Sequence, residues 1–392
     1  MERKISDVCS LVCSGGTPNK KHPEFYENGN IPWLNTAEIK FNRIYSTENH
    51  ITELGLNSSS AKWVPENTVI VAMYGATAAR AAIAKIPLTT NQACCNLVIN
   101  DAIADYQYVY YWLCSQYTRL ASLANGGAQQ NLNAGIIKDF PIWLPDLETQ
   151  KKIVKILSAL DDKIEENDKI SENLSQQAQA LYKFQIETYK NEALPAGWRI
   201  GKLGDIVNIW NKTFNPAKSE EVMLEHYSIP AYDEAKFPVY EMSTNIKSNK
   251  FVIDQDCVLV SKLNPTTKRV WRPYCISEQS VCSTEFIVYK AKTKDHTAFL
   301  FSIIDSPDFM DFMCSHVTGS TGSRQRTTPS DTLQYEIVIP SVDFIQSFSN
   351  LVSPMYTQIS TYGIENASLR KMRDALVTKI MNNEIDVSSI RV

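Results

Sequence analysis

The chain has 392 residues, 44% of them apolar and 21% charged, with a formal charge of −4. That length accommodates two or three domains with their own cores, and the composition excludes a fibrous or disordered chain. The acidic balance excludes a domain that holds nucleic acid tightly through its own net field, so partners are expected to supply part of any phosphate contact.

Met1 to Asp7 carries charges where a signal peptide needs an apolar run, and no stretch reaches the roughly 18 apolar residues of a membrane span. A cytoplasmic protein is expected, with no membrane partner. The nine cysteines are odd in number and irregularly spaced, which fits reduced thiols better than a disulfide or zinc framework.

In chain order, the first half opens with Ile5-Ser6-Asp7-Val8 and reaches Thr17-Pro18, with Lys20 and Lys21 beside Gly15-Gly16 as a phosphate-binding candidate. Val69-Ile70-Val71-Ala72, after the turn-like Pro65-Glu66-Asn67, reads as a buried strand. The loop beyond it, Tyr74-Gly75-Ala76-Thr77 leading to Arg80, has small residues that let a backbone approach phosphate; a tight turn is the alternative. A Gly loop, Asn125 to Asn131, carries the amides Gln129, Gln130 and Asn131, which match the edge of adenine. Ile142-Trp143-Leu144-Pro145 then ends the half as a strand.

A helical period follows. Ile153, Leu157, Leu160, Ile164, Asn167, Ser171, Leu174, Ala178, Leu181 and Gln185 step by alternating fours and threes, the seam of a coiled coil.

The second half repeats the first. Leu203-Gly204-Asp205-Ile206 matches Ile5 to Val8, Asn215-Pro216 matches Thr17-Pro18, and Val258-Leu259-Val260-Ser261 matches Val69 to Ala72. From the Gly loop onward one constant offset relates Gly127 to Gly322, Gln130 to Gln325 and Pro145 to Pro340. The second seam is Phe348, Val352, Met355, Ile359, Tyr362, Asn366, Leu369, Arg373, Leu376 and Ile380. Paired antiparallel, the seams place Asn167 and Ser171 near Tyr362 and Asn366, a polar layer that fixes alignment. About 33 residues of seam span on the order of 50 Å, so the helices read as spacers. Pro354 and Gly363 predict a kink or a late start in the second.

Two loops of the second half carry different reading chemistry. Where the first Gly loop has amides, the second has Arg324 and Arg326, suited to guanine, on either side of Gln325. Lys262, Lys268, Arg269 and Arg272 cluster without an intervening acid, interleaved with Asn264, Thr266 and Thr267, and read as phosphate anchors, a solvated hairpin being the alternative. Arg324→Ala is then expected to alter one half-site, and Lys268→Ala to weaken all binding and lower the salt slope.

The chain shows no chemistry of its own. There is no Asn/Asp-Pro-Pro-aromatic loop of an adenine methyltransferase, no P-loop lysine, and no His-Glu-x-x-His pair among His22, His50, His226, His296 and His316. A non-catalytic protein without cofactor or metal is expected.

With Gly15-Gly16-Thr17-Pro18, Ile31-Pro32-Trp33-Leu34, Gly75-Ala76-Thr77, Thr90-Asn91-Gln92 and Leu144 to Gln150, doubled and each followed by a spacer helix, the chain resembles the specificity subunits of type I restriction-modification systems. Ser261-Lys262-Leu263-Asn264-Pro265 and Ser283-Thr284-Glu285-Phe286 resemble a variant of the same target recognition domain. The resemblance implies an α/β (α+β) architecture with target recognition domains at residues 1–145 and 193–340. Spacer helices at 146–192 and 341–392 join them as long antiparallel coiled-coil helices in a pseudo-two-fold body. It also implies double-stranded DNA, two modification subunits and restriction subunits as partners, which carry S-adenosylmethionine, ATP and magnesium. The acidic run Asp161-Asp162 to Glu165-Glu166 is a candidate docking flank. The rival readings are a specificity chain of a type II or modification-only system, and a coiled-coil scaffold whose domains bind protein.

Overall fold

The computed structural model describes residues 2–124, 131–318 and 325–387. Its chain forms two compact units, the first Met1–Lys163 with Leu369–Val392, the second Ile164–Ser368. The boundary cuts through both long helices, here α1 (Leu147–Gln185) and α2 (Val342–Met381), so each unit holds a mixed α and β body and a stretch of each helix.

In the first unit, Val69–Ala72 is buried at every position and lies at the centre of a five-stranded sheet. The order is Cys9–Ser14, Cys94–Ile99, Val69–Ala72, Ala81–Ala84 and Asn42–Ile44. An unbroken apolar run is what a strand covered on both faces needs, because alternate side chains point to opposite sides. Val69 and Val71 join a core with Ile5, Tyr108 and Leu157, while Ile70 and Ala72 join another with Leu34 and Leu88.

The second unit repeats this device. Cys257–Ser261 is central in a sheet of order Val207–Ile209, Phe286–Ala291, Cys257–Ser261 and Val270–Trp271. Val258 and Val260 face Tyr182 and Phe348, and Leu259 faces Tyr227 and Trp271.

The sequence repeat extends to single hydrogen bonds. Ile5 N donates to Phe140 O at 3.0 Å, and Leu203 N to Tyr335 O at 2.8 Å. The carboxylates of Asp7 and Asp205 accept from the backbone of Lys4 and Lys202, at 3.0 and 3.2 Å, closing the first turn of a short helix in each unit.

Asp146 starts α1 by accepting from Thr149 N at 2.9 Å and Thr149 Oγ at 2.8 Å, the usual satisfaction of an orphaned first-turn amide. Within each unit the two helices run antiparallel. In the first, Ile153 and Leu157 share a core with Val377 and Ile380, and Arg373 donates to Asp161 at 2.7 Å. In the second, Asn167 meets Asn366 and the Tyr182 ring lies 6.4 Å from that of Phe348. The seam positions Leu157, Ile164, Asn167 and Val352 are buried, and Leu160, Leu174, Leu181, Met355, Ile359, Tyr362, Leu369 and Leu376 are half-buried.

The polar layer is built as the antiparallel register demands. Asn167 Nδ2 donates to Asn366 Oδ1 and Glu365 Oε2, both at 2.9 Å, and Asn366 Nδ2 donates to Asp168 Oδ1 at 2.8 Å. Two amides buried among apolar neighbours tolerate few other alignments, since any slip leaves their donors unmatched.

Three expectations change. Helix α2 is continuous from Val342 through Pro354 and Gly363, so it has no late start. Pro354 and Asn350, whose carbonyl loses its amide partner, are both exposed, and water can replace the missing bond. Gly363 is explained by contact: a Cβ there would stand 2.4 Å from the Tyr274 hydroxyl and 3.0 Å from its Cζ. Asp161 is buried rather than part of a solvated acidic flank, and Asp162 receives Arg43.

An alanine at a helical glycine ordinarily adds about 1 kcal/mol of stability. Gly363→Ala is expected to reverse that sign, costing about 1–3 kcal/mol through overpacking against Tyr274. Truncating the ring in Gly363→Ala/Tyr274→Ala should restore the alanine's advantage relative to Tyr274→Ala alone, read by urea denaturation; a stabilised single variant would show the contact to be soft.

Candidate nucleic-acid interface

A fully buried strand must surface where its apolar run ends, and in both units that exit forms the predicted loop. In the first, Gly75 adopts φ +76°, a left-handed conformation open to glycine, and a short helical turn covers Gly75–Thr77. Ala72 N donates to Arg80 O at 2.9 Å and closes the loop. A Cβ on Gly75 would meet nothing within 4 Å, so the tip is open to an approaching backbone. Tyr74 is 41% exposed.

The end of the first Gly loop docks on this exit. Leu132 N donates to Met73 O at 2.8 Å, and Tyr74 forms an antiparallel bridge with the exposed Asn131.

In the second unit the same frame carries other side chains. Ser261 N donates to Arg269 O at 2.9 Å, Asn264 takes the left-handed place of Gly75 with φ +48°, and Thr327 N donates to Lys262 O at 3.1 Å. Leu263 bridges Arg326, and Asn264 N donates to Gln325 O at 2.9 Å. The described end of each Gly loop therefore lies against the strand exit of its own unit. Gln129, Gln130 and Arg324 lie outside the described residues.

The basic cluster is more occupied than its sequence implies. Lys268 Nζ lies 2.7 Å from Asp305 Oδ1 and 2.7 Å from Asp305 O. Arg269 donates through Nε and Nη2 to the two oxygens of Asp233, at 2.6 and 2.9 Å. Burial lowers the pKa of Arg272, whose Nη1 is buried without a hydrogen-bond partner. Thr266 and Thr267 stay exposed, and Lys262 is half-buried with its backbone tied to Glu285 and Thr327. Arg80 stacks over Phe41, its guanidinium carbon 5.9 Å from the ring centroid.

Lys20 and Lys21 sit in an exposed turn, where Lys21 N bonds Asn19 Oδ1. The neighbouring Gly15 and Gly16 serve packing rather than phosphate approach: a Cβ on Gly15 would fall 1.9 Å from Thr90 O, and on Gly16 2.3 Å from Ala61 N. Sequence reasoning missed Asp233 and Asp305, the acids that pair with Arg269 and Lys268 of the cluster, and Glu285, which pairs with Arg326 of the Gly loop. Each lies far from its partner along the chain, and no local pattern marks them.

The Lys268 pair changes what its substitution measures. Burial raises the pKa of the Asp305 carboxyl above its ordinary value, and Lys268 and Gln179 pull it back. A carboxyl raised on folding contributes fully below its unfolded pKa, and that contribution is lost as pH rises through its folded pKa. Lys268→Ala raises the folded value further. Its stability should match the parent below about pH 4 and fall behind by about 1–2 kcal/mol at neutral pH, the lysine's partial exposure keeping the loss modest. Thermal melts across pH, with Asp305→Asn cancelling most of the deficit, test this; a pH-independent deficit would exclude it.

Among the described residues no helix is long and apolar enough to cross a membrane. The family described as "Type I restriction modification DNA specificity domain" matches residues 1–176. The chain is 27% identical to the type I restriction enzyme MjaIX specificity subunit of Methanocaldococcus jannaschii, over 99% of this chain and 94% of that one. It is 30% identical to the EcoR124I/EcoR124II specificity subunit of Escherichia coli, over 38% and 37% respectively. The crystal structure of a type I restriction-modification system S subunit from M. genitalium has the same fold over 97% of this chain and 95% of its own, with a TM-score of 0.53 and 17% identity.

Proposed function

We propose that this chain, whose residues 1–176 match the type I restriction modification DNA specificity domain family, is a specificity subunit whose two units each read one half of a two-part duplex DNA site. The observation that carries this reading is the doubled frame. Met73–Leu132 and Lys262–Thr327 are the same backbone hydrogen bond, and around it one unit presents Tyr74, Gly75 and Asn131, the other Leu263, Asn264 and Arg326. An amide matches adenine and a guanidinium matches guanine, so one scaffold addresses two different half-sites.

The chain supplies address rather than chemistry. Two modification subunits dock on the helices and bring S-adenosylmethionine; restriction subunits bring ATP and magnesium. The helices, with their Asn167 and Asn366 layer, set the gap between half-sites. Phosphate contacts come in part from the partners, consistent with a chain of charge −4 whose basic loop is largely paired inside its own unit. Its place is the cytoplasm of a bacterial or archaeal cell, where the chromosome lies.

Footprinting of the chain reconstituted with modification subunits tests the proposal. Two protected patches separated by a sequence-independent gap are expected. A single continuous patch, or protection without sequence preference, would contradict it.

A further inference from the structure

Glu285 is not a candidate reader by sequence position, yet it stands beside one. Arg326 donates Nε–H to Glu285 Oε2 at 3.0 Å and Nη2–H to Glu285 Oε1 at 3.2 Å, a side-on bidentate pair. Both side chains remain accessible, Arg326 43% and Glu285 31% exposed.

Their backbones are fixed by the frame described above. Lys262 N donates to Glu285 O at 3.0 Å, Leu263 bridges Arg326, and Glu285 N is held by Ser283 Oγ at 3.2 Å. The carboxylate and the guanidinium are thus anchored to one rigid loop exit.

A guanidinium has five N–H donors in a fixed plane. The carboxylate takes the edge formed by Nε and Nη2, leaving the end-on edge formed by Nη1 and Nη2. That edge has the spacing of guanine O6 and N7. The carboxylate also removes the rotamer freedom that a long exposed side chain loses on binding.

We propose that Glu285 is a specificity-determining positioning residue: it holds Arg326 side-on so that the guanidinium's free edge reads one guanine in the half-site of the second unit. The inference rests on the proposed function and deepens it. It also explains an asymmetry between the units. The position equivalent to Glu285 is Ala93, whose carbonyl accepts from Met73 N at 2.8 Å as the Glu285 carbonyl accepts from Lys262 N, and its neighbour at the bridge is Asn131. Where the reader is an arginine a carboxylate orients it; where the reader is a short amide no carboxylate is present.

The test uses the full chain reconstituted with modification subunits, measuring affinity for duplexes that vary one base pair at a time, over a range of salt. Glu285→Ala, which frees Arg326, should lower the preference for guanine at one position about tenfold. It should also raise affinity for unrelated DNA and steepen the salt slope by about 0.9 as the released charge finds a phosphate. Glu285→Gln, which preserves shape, should fall between parent and alanine variant. Arg326→Lys, which loses the planar fork, should lose the guanine preference altogether. If Glu285→Ala and Glu285→Gln raise affinity for all sequences alike and leave the guanine preference unchanged, Arg326 is only a phosphate contact and the inference falls. If the parent complex prefers no sequence, the proposed function itself fails, a separate result.

Discussion

Asp161→Ala lowers the stability of the first unit by about 3–5 kcal/mol, the largest effect expected of any single surface-distant polar substitution in the spacer helices. Asp161 on α1 and Arg373 on α2 meet at 2.7 Å, with side chains only 12% and 18% exposed. Tyr111 donates its hydroxyl to the other carboxylate oxygen at 2.5 Å, which ties the sheet-covering helix Tyr106–Ser115 to the same point. Deleting the carboxylate leaves a guanidinium shielded from water and a buried hydroxyl without its acceptor, and each carries a desolvation cost. Asp374, beside Arg373 at 2.8 Å and itself exposed, recovers part of that cost but not the Tyr111 bond.

The double variant Asp161→Leu/Arg373→Met separates pair from partner. A buried ion pair replaced by apolar side chains of similar volume is often near neutral, so the double variant should recover most of the loss. Hydrogen exchange of the α1 amides up to Lys163, the stretch that belongs to the first unit, reads that unit separately under native conditions. A single-variant loss below about 1 kcal/mol, or a double variant no better than the single, would mean that the pair is effectively solvated.

Asn131→Ala removes base discrimination at one position of one half-site by about 1–3 kcal/mol, a change of roughly 5- to 150-fold in relative affinity. The side chain is exposed, and what fixes the loop here is backbone: the bridge to Tyr74 and the bond from Leu132 N to Met73 O. Alanine keeps both, so thermal stability should move by less than about 0.5 kcal/mol. The loss should fall on adenine, because an amide matches its N6 and N7 together. Competition binding with single-base variants of the site measures it. Equal loss across all bases would make Asn131 a phosphate contact.

Much of the fold was legible because periodicity is a property of long segments. The buried runs at Val69 and Val258, the two seams and the Asn167 and Asn366 layer all follow from spacing and residue type alone. What stayed hidden depends on contacts between residues far apart in the chain. Asp161 looked like one member of a solvated acidic run, and only the approach of Arg373 and Tyr111 makes a buried site of it. Gly363 looked like a weak point of a helix, and its use appears once Tyr274 is placed against it. Gly15 and Gly16 beside Lys20 and Lys21 imitated a phosphate loop, although they are the close contacts of a strand with Thr90 and of a turn with Ser60 and Ala61.

The candidate interface divides in the same way. Loop position was readable, since a buried strand must end and a glycine or asparagine marks the turn. Loop charge was not. Lys268, Arg269 and Arg326 are each matched by an acid at least several elements away, so counting local charges overstated the positive surface.

On the proposed function, two units of one frame read two different half-sites. Sequencing that detects methylated adenines, in a genome exposed to the reconstituted complex with its modification subunits, tests it most directly when parent and Arg326→Ala chains are compared. The expected result is a two-part motif with a fixed gap, in which the variant changes the half read by the second unit and leaves the other half and the gap intact. A continuous motif, or a variant that alters both halves together, would contradict it.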